Sequence, residues 1–197
     1  MQHDASDRRS GTGRLIFLIG PSGSGKDSLI DASRERLAAA GVEIARRVIT
    51  RSAEAKGEAA HGVTPEQFET LRAQGAFAMH WHANGLDYGI AQQVDEWMAA
   101  GRAVLVNGSR AYLAEARQRY PNLLAVLVEV RPEVLRQRLL ARGRENAEEI
   151  EQRLARSARL QAPPDPSVHV LDNSTTLEAA VAALFGLLRD EGALPPE

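Results

Sequence analysis

Apolar and polar residues are arranged along the chain in blocks that predict strands and helices in alternation. Continuous apolar runs over 14–20, 102–108 and 123–130 are typical of strands that are buried on both faces of a parallel sheet. Shorter extended segments are predicted at 42–50, 77–83 and 168–173. Amphipathic or capped segments predict helices over 26–40, 64–75, 91–101, 109–120, 131–143, 148–161 and 176–190. Strands that alternate with helices in this way indicate βαβ units, and therefore a mostly parallel sheet flanked by helices.

The stretch from residue 51 to residue 99 interrupts this alternation. It combines short elements with a small and polar segment at 52–62, predicted as a loop, and a turn-rich segment at 83–89. We therefore predict an insert over the sheet at 51–99, and a core assembled from 14–50, 100–140 and 151–190. Residues 1–13 lack apolar periodicity and are predicted to be a disordered leader.

Composition mainly excludes certain classes of protein and of functional site. The 197 residues are 44% hydrophobic and 25% charged, as in an ordinary globular protein, and 24 basic against 26 acidic residues give a net charge of −2. This balance argues against a dedicated binder of duplex DNA. The absence of cysteine excludes disulfides, thiolate metal sites and cysteine nucleophiles. Because the chain shows neither a membrane-spanning apolar run nor a secretory signal, we expect a cytoplasmic protein with no nucleic-acid or membrane partner.

The sharpest chemical signal is a glycine-rich stretch between the first strand and the first helix. Its glycines allow positive φ angles, so that successive N–H groups point inward and surround an anion. The N-terminus of the following helix adds a partial positive charge, and Lys26 adds a full one beside the β- and γ-phosphates of a nucleotide. The stretch is predicted to bind ATP through Gly20, Pro21, Ser22, Gly23, Ser24, Gly25, Lys26, Asp27 and Ser28.

One residue departs from the usual phosphate-loop pattern. The position after the lysine is ordinarily Ser or Thr, whose hydroxyl binds Mg²⁺, and here it is Asp27. A carboxylate is a hard oxygen ligand, so Asp27 is a candidate ligand of Mg²⁺, either directly or through water. The alternative is an acidic residue that simply suits the first turn of a helix.

Together with other motifs, this loop makes the sequence resemble the guanylate-kinase-like branch of the P-loop kinases over residues 14–188. The resemblance is carried by GPSGSGKDS at 20–28, ITR at 49–51, GE at 57–58, GAF at 75–77, YG at 88–89 and ARGRENAEEIEQRL at 141–154. It implies the three-layer α/β fold of P-loop NTPases, an acceptor-binding role for the insert, and a lid at 141–150.

Local matches narrow the resemblance to the ribose 1,5-bisphosphate phosphokinases. These matches are the aspartate in GPSGSGKDSL, HW at 80–81 and VLVNGSR at 104–110. The resemblance implies phosphorylation of ribose 1,5-bisphosphate by ATP to 5-phosphoribosyl 1-diphosphate, a step of phosphonate utilisation, with Mg²⁺ as the metal. Phosphoryl transfer needs charge neutralisation and alignment more than covalent chemistry.

The resemblance also assigns roles to arginines around the lid. It implies that Arg142 and Arg153 are catalytic and close on ATP and the transferred group. Arg138, one helical turn before Arg142, and Arg144 are expected to contact ATP as well. The alternative for each is a solvated helix face, on which arginine and glutamate commonly alternate.

Acceptor binding is expected from the insert and from the edge of the sheet. By resemblance, Arg51 and Tyr88 bind the acceptor phosphate, the alternatives being a surface arginine and a tyrosine packed under a turn. Arg110 follows a predicted strand at the carboxyl edge of the sheet, where ligands of α/β proteins bind. His80 and His82 share one face of an extended segment, which suits either substrate contact or structural packing. A zinc site is disfavoured because no third ligand is apparent.

Two other functions stay open, namely guanylate kinase and a non-catalytic interaction module. The intact loop with Lys26 argues against the module. In guanylate kinases, the family pattern implies two carboxylates that read the guanine edge, and those positions are Met79 and Asn107 here. An unmet buried donor costs about 1–3 kcal/mol, so a phosphorylated sugar, contacted by Asn107, is the expected acceptor. The sequence leaves open whether the protein is a monomer or a homodimer.

Overall fold

The chain forms a parallel sheet and a smaller mixed sheet in a computed structural model that describes residues 13–51, 60–143, 145–159 and 165–195. Within these residues the strands are β1 (Leu15–Ile19), β2 (Val42–Ile44), β3 (Arg47–Ile49), β4 (Ala60–Gly62), β5 (Phe77–Ala83), β6 (Leu86–Ala91), β7 (Ala103–Asn107), β8 (Leu124–Glu129) and β9 (Val168–Asp172). The helices are α1 (Lys26–Ala39), α2 (Pro65–Ala73), α3 (Gln93–Ala99), α4 (Leu113–Arg119), α5 (Pro132–Arg142), α6 (Ala147–Arg159) and α7 (Leu177–Asp190). None of these described helices has the length and apolarity to cross a membrane.

The larger sheet, called the core sheet here, has the strand order β2-β7-β1-β8-β9, and all of its paired strands are parallel. Every residue of β1 is buried, because other elements cover both faces of this central strand. Ile16 and Leu18 pack with α1 and α7 on one face, whereas Leu15, Phe17 and Ile19 pack with α3, α4 and the second sheet on the other. The predicted three-layer α/β fold of P-loop NTPases, with a mostly parallel sheet flanked by helices, is thus confirmed.

The second sheet has the strand order β4-β3-β6-β5; β4, β5 and β6 lie within the region predicted as an insert, and β3 lies just before it. Its longest pairing is the antiparallel hairpin of β5 and β6, which turns at Asn84 and Gly85. Both residues have positive φ, 52° and 75°, as the tightest hairpin turns require. Along β5, Met79 and Trp81 are buried while His80 and His82 are exposed, so successive side chains alternate between the two faces.

Three local predictions are wrong about where strands lie. The segment 42–50 is not one strand, because Val42–Ile44 pair with β7 in the core sheet and Arg47–Ile49 pair with β6 in the second sheet. A short segment that suits a strand does not show that its two halves have different partner strands, since pairing depends on tertiary contacts. Likewise, part of the predicted loop at 52–62 forms β4, and most of the turn-rich segment at 83–89 belongs to β6.

The other predicted strands and helices are present within a few residues of their predicted bounds, as far as the described residues extend. The predicted helix over 109–120 begins with a 3₁₀ turn at Arg110–Tyr112 before α4. The predicted leader 1–13, apart from Gly13, and residues 52–59 lie outside the described residues. The strand β3, assigned above to the core, pairs in the second sheet and brings residues 47–49 beside the insert.

A polar contact joins α3 to the end of α4 against the core sheet. The buried Tyr120 donates its hydroxyl to Asp95 Oδ1 at 2.6 Å, and Arg119 Nη2 donates to Asp95 Oδ2 at 2.6 Å. Burial, and then the hydrogen bond to Asp95, raise the pKa of Tyr120 to about 12. The folded chain therefore holds the proton of Tyr120 more tightly than the unfolded chain does.

We predict that Tyr120 makes stability depend on pH in the alkaline range. Below pH ~10 this tyrosine is protonated in both states and its contribution is fully present. Between pH ~10 and the folded pKa of about 12, the unfolded chain ionises first, so the contribution is lost as pH rises. Thermal unfolding of the wild type and Tyr120→Phe should show the wild type more stable by about 1 kcal/mol near neutral pH, with the difference shrinking above pH ~10. A difference that stays constant over this range would contradict the prediction.

Candidate functional site

The phosphate loop connects β1 to α1 at the carboxyl edge of the core sheet. Gly20, Gly23 and Gly25 all have positive φ, at 153°, 89° and 87°. A Cβ on Gly25 would lie 2.5 Å from Asn173 Nδ2, and a Cβ on Gly20 would lie 2.6 Å from Val128 O. These distances leave no room for a side chain, so both the backbone angles and the surrounding atoms require glycine.

Lys26 is folded back over this loop. Its Nζ donates to Gly20 O at 2.8 Å and to Pro21 O at 3.2 Å, which places the ammonium group beside the loop backbone. The buried Ser24 hydroxyl has no hydrogen-bond partner among the described residues. A lysine and a glycine-rich turn at a helix N-terminus form an anion site, so the geometry suits a polyphosphate.

Asn173 supports the phosphate loop through the backbone of Ser24, and it is not among the predicted site residues. This buried residue follows β9; its Nδ2 donates to Ser24 O at 2.8 Å, and its own carbonyl accepts from Arg138 Nη2 at 2.7 Å. Arg138, predicted to contact ATP, is thereby placed against the loop through Asn173. The available signal was a polar residue at the carboxyl end of a predicted strand, the edge at which ligands of α/β proteins bind.

Asp27 meets groups from both sheets where they approach one another. Its Oδ1 accepts a hydrogen bond from Asn107 Nδ2 at 2.6 Å and lies 3.5 Å from Arg47 Nη2. The Arg47 side chain is only 11% exposed, and its Cζ lies 5.3 Å from the centroid of the Tyr88 ring. The structure thus brings together three predicted residues, Asp27, Asn107 and Tyr88, with one that was not predicted.

The sequence does not single out Arg47, because the segment 42–50 is predicted as one continuous strand. The alternation of a strand nevertheless contained a signal. Arg47 lies two residues before the buried Ile49 and therefore shares its face. An arginine on a largely buried face needs a charged or aromatic partner, and Asp27 and Tyr88 are those partners.

Tyr88 and the two histidines lie on opposite faces of the second sheet. Tyr88 stacks on the buried Trp81, with ring centroids 5.7 Å apart. His80 and His82 lie on the exposed face, where His82 Nδ1 is 2.8 Å from Asp87 Oδ1. The structure therefore does not bring the histidines, for which both substrate contact and structural packing are predicted, together with Tyr88.

Arg110 and Arg51 occupy the ends of two strand segments. Arg110 follows β7 at the carboxyl edge of the core sheet, as predicted; burial lowers its pKa and the Glu129 carboxylate opposes that shift. An arginine keeps its charge under such conditions. Arg51 follows β3, and its backbone N–H donates to Ile49 O at 2.8 Å. Ser28, predicted with the phosphate loop, is exposed in the first turn of α1.

The two predicted catalytic arginines meet at a carboxylate in the turn between α5 and α6. Glu145 Oε1 lies 2.5 Å from Arg142 Nη2 and 3.2 Å from Arg153 Nη2. Arg153 Nη1 in turn donates to Ser22 Oγ in the phosphate loop at 3.0 Å. This turn therefore lies at the mouth of the loop, and Arg144 lies outside the described residues.

A solved structure with a similar fold supports the architecture. The guanylate kinase from Anaplasma phagocytophilum superposes with a TM-score of 0.65, over 92% of this chain and 87% of that chain. The two sequences are 18% identical, so this similarity concerns the fold alone.

Sequence comparisons are more specific. A family model described as guanylate kinase matches residues 12–191. The ribose 1,5-bisphosphate phosphokinase PhnN of Pseudomonas paraeruginosa is 65% identical over 177 residues, which cover 90% of this chain and 96% of that protein. The protein of the same name from Azotobacter vinelandii is 62% identical, again over 90% of this chain and 96% of its own length. The chain therefore belongs to the guanylate kinase family and, within it, to the family of the ribose 1,5-bisphosphate phosphokinases.

Proposed function

We propose that this protein transfers the terminal phosphoryl group of ATP to ribose 1,5-bisphosphate, which gives 5-phosphoribosyl 1-diphosphate and ADP. An oxygen of the acceptor's 1-phosphate attacks the γ-phosphorus. The bond from that phosphorus to the oxygen bridging the β- and γ-phosphates breaks, and ADP leaves with this oxygen. The two relatives named for this substrate, at 65% and 62% identity, support the proposal.

The observation that carries the proposal is the guanidinium of Arg47 on the acceptor side of the site. Arg47 lies between the Asp27 carboxylate and the Tyr88 ring, and it is largely buried there. A guanidinium binds a phosphate through paired, charge-assisted hydrogen bonds, whereas it repels the N–H donors of a guanine edge. Charge and hydrogen-bonding capacity at this position favour a phosphorylated sugar over a nucleobase.

Met79 supports the same choice of acceptor. It lies at the position where the family pattern implies a guanine-reading carboxylate, and here it is buried in the apolar cluster that contains Trp81 and Val106. A thioether is at best a weak acceptor. Asn107, at the second such position, already donates its amide to Asp27. Neither residue supplies the carboxylate that guanine recognition needs.

The donor side is proposed to hold the triphosphate of ATP over the phosphate loop. Lys26 and backbone N–H groups of the phosphate loop surround the phosphates, and Arg142 and Arg153 approach from the α5–α6 turn to offset charge on the transferred group. In that role an arginine stabilises a charge that grows in the transition state.

Mg²⁺ is proposed as the metal, with Asp27 as its protein ligand. Within the described residues, no three His, Cys, Asp or Glu side chains group into a metal site. Such a sparse donor set suits Mg²⁺, which keeps several waters and takes further oxygens from nucleotide phosphates. When bound, the ion neutralises phosphate charge and helps align the reacting oxygens.

The acceptor preference is the first test of the proposed function. We predict a kcat/KM for ribose 1,5-bisphosphate at least about tenfold above that for GMP, with the same enzyme and MgATP, because each unmet guanine donor costs about 1–3 kcal/mol. A higher value for GMP would identify a guanylate kinase instead. Absence of turnover with either acceptor would favour the non-catalytic module.

Arg47 allows a sharper test, because its neighbour Arg46 is an exposed arginine that donates to Ala60 O at 3.3 Å. We predict that Arg47→Gln raises the KM for ribose 1,5-bisphosphate by about 10- to 100-fold, since a hydrogen bond to a charged group contributes about 1.5–3 kcal/mol. The KM for ATP should change less. Arg46→Gln is the matched control and should leave both constants near wild type. If Arg47→Gln leaves the acceptor KM unchanged, Arg47 serves only to pair with Asp27.

The role of Asp27 can be separated from that of the loop by metal titration. Asp27→Asn keeps the side-chain shape and an oxygen for Asn107, but it removes the negative charge that favours a divalent cation. We predict that the Mg²⁺ concentration for half-maximal rate, at saturating ATP, rises several-fold while the KM for ATP changes less. An unchanged Mg²⁺ midpoint would leave Asp27 with a role only at the helix N-terminus.

A further inference from the structure

Glu145 is a buried carboxylate without an assigned role. It lies in the turn between α5 and α6, and its side chain is 8% exposed. Its Oε1 pairs with both Arg142 and Arg153, while its Oε2 is buried and has no hydrogen-bond partner among residues 13–51, 60–143, 145–159 and 165–195. Burying a carboxylate costs free energy unless its charge is compensated. Here two guanidinium groups compensate the charge at one oxygen.

The backbone around Glu145 is held on both sides. Before it, α5 ends at Arg142 and is capped by Gly143, whose φ of 63° is the left-handed conformation typical of a helix end. After it, Asn146 and Glu149 exchange hydrogen bonds of 2.9 Å and 2.8 Å that cap α6. The carboxylate therefore projects from a short turn between two capped helix ends.

Apolar packing fixes the two helices relative to one another. Leu135 and Leu139 of α5 pack on Ile150 of α6, and all three are buried. A Cβ on Gly23 would lie 3.1 Å from both leucines, so α5 also rests directly on the phosphate loop. The position of Glu145 is thereby tied to that of the loop.

Charge gives Glu145 a function beyond packing. Arg142 and Arg153 are both positive and repel one another when they approach the same phosphate. A carboxylate between them offsets that repulsion and restricts both guanidinium groups to one region. Because Arg153 also donates to Ser22 Oγ, the region is the mouth of the phosphate loop.

We propose that Glu145 is a positioning residue that holds Arg142 and Arg153 ready for the phosphates of ATP before the nucleotide binds. This inference rests on the proposed function, since it takes the two arginines to act on the transferred phosphoryl group. Preorganised charge lowers a barrier because the groups need no rearrangement during the reaction. Each guanidinium has five N–H donors, so a bond to Glu145 leaves others for phosphate oxygens.

The same two helices provide a matched control. Glu151 of α6 pairs with Arg136 of α5, and both side chains are about half exposed. This pair also joins α5 to α6 but involves neither Arg142 nor Arg153. Glu151→Gln therefore removes an interhelical ion pair while leaving the proposed positioning intact.

The test compares Glu145→Gln, Glu145→Asp and Glu151→Gln with the wild type. Glu145→Gln keeps the shape and removes the charge, and we expect kcat to fall about 10- to 100-fold, the size of effect that misplaced catalytic groups produce. The KM for the acceptor should stay within about twofold of wild type. Glu145→Asp keeps the charge on a shorter side chain and should fold even where the glutamine variant does not. Its kcat should lie between those of the wild type and Glu145→Gln. Glu151→Gln should keep the wild-type kcat.

A double-mutant comparison separates positioning from a merely structural role. In an Arg153→Ala, Arg142→Ala background, Glu145→Gln should change kcat by less than about twofold, because the groups that it positions are gone. Full kcat in both Glu145 variants, or an equal kcat loss with and without the arginines, would overturn the inference.

Failure of the proposed function has a different signature. It would be seen as a wild type that prefers GMP or uses neither acceptor. If GMP is preferred, the kcat series is run with GMP. If neither acceptor is used, calorimetry of MgATP binding takes its place, with weaker binding expected for Glu145→Gln and unchanged binding for Glu151→Gln. Equal affinities of Glu145→Gln and Glu151→Gln for MgATP would overturn the role of Glu145 independently of the acceptor.

Discussion

The whole site depends on a backbone turn at the end of β1 that has no space for side chains. Gly20 would meet the carbonyl of Val128 on β8, and Gly25 would meet the amide of Asn173 beyond β9, if either carried a Cβ. The loop therefore lies tightly between the strand ends, at the N-terminus of α1, where an anion is favoured. Lys26, the start of α1 and the approach of α5 all follow from where this turn lies.

Charge is organised around this turn from two sides. On one side Arg142 and Arg153 share the carboxylate of Glu145, and on the other Arg47 pairs with Asp27. In both places a cation suited to phosphate is held by an acidic residue of the protein. Such pairs keep guanidinium groups ordered at a cost in desolvation, which is offset when they meet a highly charged ligand. The proposed donor and acceptor regions are thus built on the same physical principle.

Some features of the structure depend only on residues that are close together in the sequence. The helix over 65–73 begins where Thr64 and Gln67 form a capping box, and the hairpin turns at Asn84-Gly85, because short-range backbone preferences decide both. The residues 42–50 show the opposite case. Their sequence suits a strand equally well in either sheet, so it does not by itself reveal that β2 and β3 pair in different sheets.

The sequence by itself determined the α/β fold, the phosphate loop and the family, because periodicity, glycine spacing and a buried strand before a helix are local properties. Only the tertiary structure decided which side chains meet. It placed Arg47 on Asp27, Asn173 behind the loop and Arg153 on Ser22, in each case between residues that are distant in sequence. It also separated His80 and His82 from Tyr88, because the register of β5 and β6 puts them on opposite faces. Contacts between residues distant in sequence depend on how sheets and helices pack, and no single segment contains that information.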